Sequence, residues 1–425
     1  MKFSYLPSQG LRRYLAGAVA ARAGDEMSGP ALLLLGLAVT GRPAAGSGLL
    51  ASVTIAGAAG GPVFGALLDR GRRPDLILAG TLAAYALGLV AVQAAAGGLP
   101  MPAVVTIALA AGLFSPAVAG GWTAQLPHIV TGRELARGSA FDALTYSAAS
   151  LAGPALAAVV AAGLGARAAV LTAAALVALA APADRRYRGP GANRQTSPDR
   201  QAGLHRQAGL HRQLAAGFAA IATRRPLLRA TVTSVVSYGG IGMLLVCCPV
   251  LGAQRLGGPA RGALLISAMA AASLAATAIL ARRPGRGQPD AWVLASTLAI
   301  GAGVAAAAVA PGWFTVAAVA LAGAGEGPQL TALFAVRHRE TPANLRGQVY
   351  TTAASLKIAG MAAGAALAGP LAGRSVTACL LIAAGTELCA AAAYLLAGSR
   401  GPAPADAPPG TARGGGVTST AGRSG

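Results

Sequence analysis

Apolar residues run along this chain in long blocks separated by short polar segments. A window of about twenty residues, the length that crosses a hydrocarbon core of about 30 Å, resolves twelve blocks, at 14–40, 48–68, 76–97, 102–123, 140–164, 166–182, 228–252, 262–281, 290–310, 313–334, 348–373 and 375–397. Each is predicted to be a transmembrane helix, and the chain an all-α membrane protein. The sixth block is the shortest and follows the fifth almost without a loop.

A long polar stretch divides the blocks into six and six, as an internal duplication would. The predicted organisation is a six-helix bundle over 1–183, a cytoplasmic linker over 184–226, a second six-helix bundle over 227–398 and a disordered cytoplasmic tail over 399–425. The linker contains a tandem RQAGLH hexamer from Arg200 to His211, and its composition reads as a flexible basic connection. The tail is rich in Gly, Pro, Ala, Thr and Ser, which cannot build a core. Arg137-Gly138 before the fifth block is answered by Arg346-Gly347 before the eleventh. Gly153-Pro-Ala-Leu-Ala is answered by Gly364-Ala-Ala-Leu-Ala, nearly in register.

Composition agrees. Of 425 residues, 55% are apolar and 11% charged, with a mean hydropathy of +0.59, whereas soluble domains carry about 25% charged residues. The net charge of +21 raises the question of nucleic acid. Its placement answers it, because the basic residues lie between apolar blocks and are not interleaved with aromatics. Instead they divide by side. One set of alternate loops holds Lys2, Arg12, Arg13, Arg70, Arg72, Arg73, Arg133, Arg137, Arg282, Arg283, Arg286, Arg337, Arg339 and Arg346, together with the linker and tail. The other holds only Arg42, Arg167, Arg255, Arg261 and Arg374. Lys and Arg mark the cytoplasmic side, so both termini are expected there, in an inner-membrane, multi-pass protein. Arg22, Asp25 and Glu26 interrupt the first block, which reads as a retained helix rather than a signal peptide. Trp292 and Trp313 fall at block ends, as interfacial anchors do; Trp122 is an anchor or faces a cavity. Cys247, Cys248, Cys379 and Cys389 lie inside apolar blocks, without metal-ligand spacing, and neither metal nor cofactor is expected.

Between the second and third blocks the chain reads Gly65-Ala-Leu-Leu-Asp69-Arg70-Gly71-Arg72-Arg73. It resembles the signature loop of the major facilitator superfamily, G-x-L-a-D-r-x-G-R-[RK], shortened by one residue between Arg70 and Gly71. The resemblance extends from Leu11 to Ala397 in helix count, central linker and loop charge. It implies two pseudo-symmetric six-helix bundles, with Asp69 gating the cytoplasmic side by bonding to the eleventh helix. The counterpart in the second half, Ala281-Arg-Arg-Pro-Gly-Arg286, has no acid, which implies asymmetric gating. Gln125-Leu-Pro127 through Glu134-Leu135, and Thr341-Pro342 through Leu345-Arg-Gly347, look like bacterial efflux-type members. Gly153 and Pro154 match part of the antiporter motif of the fifth helix, a packing element, although Ala149, Ala157 and Ala158 replace its glycines. The fourth helix lacks the arginine typical of proton-linked exporters.

Charges inside the blocks are costly in lipid and point to a cavity or a partner. Arg22 is spaced to pair with Asp25 or Glu26 on one helix face. Glu326 lies in Gly323-Ala-Gly-Glu-Gly-Pro328, with Gln329 one turn on, and Tyr238 is a cavity candidate by position. The resemblance places the first, fourth, seventh and tenth helices around the cavity and makes Lys357, in the eleventh, and Glu387, in the twelfth, lesser candidates. No phosphate-binding loop or catalytic constellation appears, so an enzyme is not expected. The expectation is a monomeric secondary transporter that couples export of a small amphipathic molecule to protons, with Glu326 the favoured carrier. A metabolite importer, or a non-transporting sensor or scaffold of the same fold, is the alternative.

Overall fold

A computed structural model describes residues 8–71, 73–130, 133–185, 210–258, 261–282 and 288–396. Arg72, Arg283, Arg286, the linker over 186–209 and the tail from 397 lie outside the described residues.

Twelve bundle helices follow the twelve blocks: α1 Gln9–Thr40, α2 Pro43–Arg70, α3 Pro74–Ala95, α4 Met101–Gly112, α5 Arg133–Leu164, α6 Ala166–Arg185, α7 Arg225–Arg255, α8 Gly262–Ala281, α9 Pro289–Val309, α10 Phe314–Glu340, α11 Arg346–Arg374 and α12 Val376–Leu396. Local chemistry sets their ends. Ser8 caps α1 by accepting from the Leu11 amide. Gly41 ends α1 with φ +65°, a left-handed conformation that glycine adopts without strain. Pro74, Pro102, Pro226 and Pro289 open their helices, where a missing N–H costs no bond. Among the described residues nine stretches are long and apolar enough to cross a membrane. The apolar run of α6 is short, over Ala166–Ala180, while α1 and α10 carry the charged residues discussed below.

The helices outrun the apolar blocks at their basic ends; α5 starts at Arg133 and α10 ends at Glu340. The fourth block departs from a single helix. It breaks after Gly112 at Ser115-Pro116, re-forms as a π turn over Ala117–Gly121 and is followed by a short helix, Leu126–Ile129. The linker also departs from a plain flexible stretch, since Leu210–Thr223 is helical. Its Ala220 and Ile221 join Leu227 and Val349 in a small core, and the Gln348 amide donates to the Leu214 carbonyl. Composition alone hid this face, because the apolar residues are spaced three and four apart among Arg, His and Gln.

Each half has its own apolar core. In the first, α1 packs against α2, α5 and α6; in the second, α7 packs against α8, α11 and α12. The halves meet along α2 with α11 and α5 with α8, the two pairings that a two-fold axis exchanging the halves would interchange. The repeated glycines take equivalent places. A Cβ at Gly153 of α5 would strike the Glu26 backbone of α1, and one at Gly364 of α11 would strike Gly239 of α7. Pro154 is exposed on the outer face of α5. Trp292 and Trp313 are 37% and 60% exposed near helix ends. Trp122 is no interfacial anchor: it is buried, with its ring 5.9 Å from that of Tyr14. Cys247, Cys248 and Cys379 are buried, while Cys389 is exposed.

Candidate functional site

The first element of the site is the junction of α2 and α11 at the end that carries the basic loops. Asp69 closes it. Its two carboxylate oxygens accept from the Gly347 and Gln348 amides at 2.7 and 2.8 Å, at the N-terminus of α11, where unpaired N–H groups and the helix dipole favour an anion. Gly65 permits the approach, because a Cβ there would collide with Gln348 Cα and Thr351 Oγ1. Nearer mid-membrane, Ser355 accepts from the Gly61 amide and donates to the Gly57 carbonyl. Gly71 ends α2 in extended backbone, Arg70 is half-buried, and Arg73 lies on the surface 3.7 Å from Asp75.

The second element lies at mid-depth between the halves. Tyr238 of α7 donates to Glu326 of α10 at 3.0 Å, so two residues singled out in the sequence meet. The Lys357 ammonium of α11 stands 4.2 Å from the Tyr238 ring centroid and 5.8 Å from that of Tyr146 on α5, within range of cation–π attraction. Glu26 of α1 accepts from Ser150 of α5 at 3.1 Å. Lys357 is the opposite charge that acts on both Glu26 and Glu326. One acid from each half therefore lies within the electrostatic reach of one ammonium, and all three side chains are partly exposed.

Arg22 does not pair with Asp25 or Glu26. It turns to Asp142 of α5, 2.9 Å away, with both side chains at most 1% exposed. Asp142 also accepts from Tyr14 at 2.7 Å and Thr123 at 2.8 Å, and Arg22 donates to the Asp142 carbonyl, Thr123 and Thr145. The guanidinium lies 3.7 Å from the Tyr146 ring centroid. This network ties α1, the π turn and α5 together inside the first half. Proximity within one helix nominated the wrong acids, since a helix face three residues wide says nothing about the neighbouring helix. Asp25 instead accepts from Tyr85 of α3 at 2.8 Å. Gln329, expected near the cavity, is wholly buried inside the second half, where it donates to Ser237 and Thr297; Ser237 donates in turn to Glu387 at 3.0 Å.

A sequence-family profile described as Major Facilitator Superfamily matches residues 14–365. The chain belongs to that superfamily. No curated protein matches it. Solved structures show the same fold. A bacterial homologue of the iron transporter ferroportin, in an outward-facing state, has a TM-score of 0.72 at 16% identity, covering 92% of this chain and 100% of that one. The human organic anion transporter MFSD10 has a TM-score of 0.69 at 18% identity, covering 92% and 100%. The proton:xylose symporter XylE has 0.69 at 14%, covering 90% and 94%.

On this major facilitator frame, two important residues were underweighted or missed in the sequence. Lys357 was discounted because the eleventh helix reads as a support element, yet α11 crosses the gap between halves. Asp142 lies only two residues inside the predicted fifth block, where an acid passes for a boundary residue. A hint existed, since Asp142 falls one turn before Tyr146 on a helix that carries few other charges. Among the described residues no group of three His, Cys, Asp or Glu is placed to hold a metal.

Proposed function

We propose that this major facilitator superfamily protein is a proton-coupled secondary transporter that exports a small amphipathic molecule by alternating access. The observation that carries it is the mid-depth triad, in which Glu26 of one half and Glu326 of the other lie within the electrostatic reach of Lys357 beside Tyr238. Acids at that depth bear a desolvation cost that a scaffold has no need to retain. Two acids and one ammonium leave room for one more positive charge, and a proton supplies it. Rocking the halves moves Glu26 relative to Glu326 and so changes what holds that proton. The efflux-type segments around Gln125 and Thr341 favour export.

In this reading the protein is an inner-membrane monomer with both termini and the linker cytoplasmic, as the Lys and Arg bias requires. Reporter fusions near residue 200 and after Gly398 read those sides directly; an external signal at either point overturns the topology. The Asp69 contact is then the cytoplasmic gate, and the conformation is closed to the cytoplasm. Gly65 and Asp69 are the gating residues with Arg70, Gly71, Arg72 and Arg73 around them. Asp69→Asn keeps one acceptor oxygen for two amides and loses the charge. A charge-assisted bond contributes about 1.5–3 kcal/mol, so the gate equilibrium should shift at least about tenfold. Asp69→Asn and Gly65→Val are expected to insert normally and transport poorly. Unchanged transport per inserted molecule would remove the gate role.

The function is tested in inverted membrane vesicles with an imposed proton gradient, by following the uptake of a panel of amphipathic fluorescent dyes. Uptake that collapses with a protonophore supports the proposal. Uptake indifferent to the gradient, with the protein shown to be inserted, refutes coupling.

A further inference from the structure

Arg337 stands eleven residues after Glu326 on α10, about three turns further on and nearly on the same face. Between them Leu330 and Phe334 join Tyr350 of α11 and Ala124, Ala143 and Tyr146 of the first half in an apolar cluster that plugs the gap. Beneath the plug, Arg337 is 3% exposed, and its Nε and Nη2 are buried without hydrogen-bond partners among the described residues. His338 is 5% exposed, and neither ring nitrogen has a partner among them; its ring lies 4.9 Å from that of Tyr350. The Nε of Arg346 is likewise buried and unpartnered. Arg337 and Arg346 are the two charges that act on His338.

A guanidinium has five donors and no acceptor, and leaving it desolvated with bonds unmade is costly. The last turn of a helix favours cations through its dipole, which explains why basic residues gather here but not why their N–H groups lack acceptors. Nearby acids are committed elsewhere. Asp69, which acts on Arg346, gives its oxygens to the Gly347 and Gln348 amides. Asp290 and Glu340 pair with Arg339. From the first half, the group on which Arg346 acts is His128, which is not an acid.

We propose that Arg337 and His338, with Arg346 at the rim, bind a small oxyanion, a carboxylate or phosphate, beneath the aromatic plug. The guanidinium fork takes two oxygens in the bidentate manner that suits such groups, and the imidazole N–H takes a third contact. All these donors belong to the second half, whereas the plug beside them includes Tyr146, Ala143 and Ala124 of the first half. The anion is therefore enclosed while the basic end is closed and exchanges when the halves part. This site is distinct from the triad at Glu326, although Arg337 acts on Lys357, and its test does not depend on the direction of transport.

Thermal unfolding of the purified full-length protein in detergent tests it, with sodium chloride replaced by sodium phosphate or sodium acetate at constant ionic strength. Saturating phosphate or acetate should raise the wild-type midpoint by about 2 °C or more relative to chloride, and Arg337→Gln should lose that increment. The effective anion tells an inorganic oxyanion from the carboxylate of an organic molecule. Equal midpoints in all three salts, or equal increments in wild type and Arg337→Gln, overturn the proposal. Should Arg337→Gln fail to fold, equilibrium dialysis of the wild type against radiolabelled phosphate and acetate decides. Saturable binding of either, near one per chain, supports the site, and saturable binding of neither overturns it.

Discussion

Glu326→Gln is expected to reduce gradient-driven transport to background while leaving substrate binding and downhill exchange measurable. The substitution is nearly isosteric, and its amide oxygen can still accept from the Tyr238 hydroxyl that now donates to Glu326 at 3.0 Å. What it removes is the ability to alternate between a charged and a neutral form beside Lys357. A transporter so altered can still rock between states, but nothing in the site then distinguishes one face of the membrane from the other. Solute counterflow in proteoliposomes without a gradient measures the retained exchange, and uptake with a gradient measures the loss. Uphill transport at the normal rate, with its usual pH dependence, would make Glu326 structural.

Glu26 is the competing carrier. Arg22, spaced on α1 to pair with Asp25 or Glu26, would hold such an acid ionised. In the structure Arg22 pairs with Asp142 and still acts on Asp25, but the opposite charge that acts on Glu26 is the same Lys357 that acts on Glu326. Glu26→Gln is therefore the necessary companion variant. Loss of coupling in Glu26→Gln with coupling intact in Glu326→Gln assigns the proton to α1.

The legible part of the molecule was set by one-dimensional physics. A span of hydrocarbon fixes helix length; α8, at Gly262–Ala281, matches its apolar block to the residue. Local motifs also carried over. Asp69 meets the N-terminus of α11, the partner that the family resemblance implied. Partner choice was not legible, because it is decided between helices far apart in sequence. Arg22 and Asp142 are 120 residues apart, and Tyr238 and Glu326 are 88 apart. Nor does the hydropathy of α11 reveal which of its faces looks into the gap, so Lys357 could not be ranked above Glu387. Gln329 shows the converse, since adjacency to Glu326 in sequence places it in a different environment.

The Arg22–Asp142 pair yields the largest expected effect on folding. Asp142→Asn leaves the guanidinium charged in a site at most 1% exposed, with only neutral acceptors, namely the Thr123 and Thr145 hydroxyls, the backbone carbonyl of residue 142 and one amide oxygen. Removing one partner of a buried ion pair costs about 3–5 kcal/mol, a large fraction of the stability of most proteins. The yield of monodisperse protein in detergent should fall sharply, and its unfolding midpoint with it. Asp25→Asn, which keeps an acceptor for the Tyr85 hydroxyl, should lose only about 1 kcal/mol. The spacing on α1 offers Asp25 or Glu26 as the partner of Arg22, whereas the structure pairs it with Asp142 of α5. The decisive comparison is the double variant Arg22→Met with Asp142→Leu, which removes both charges together. If the penalty of Asp142→Asn comes from an uncompensated charge, the double variant should recover much of the lost stability, because apolar replacement of a buried pair is often neutral. A double variant as unstable as Asp142→Asn would instead show that the hydrogen bonds from Tyr14 and Thr123, and not the charge balance, hold α1, the π turn and α5 together.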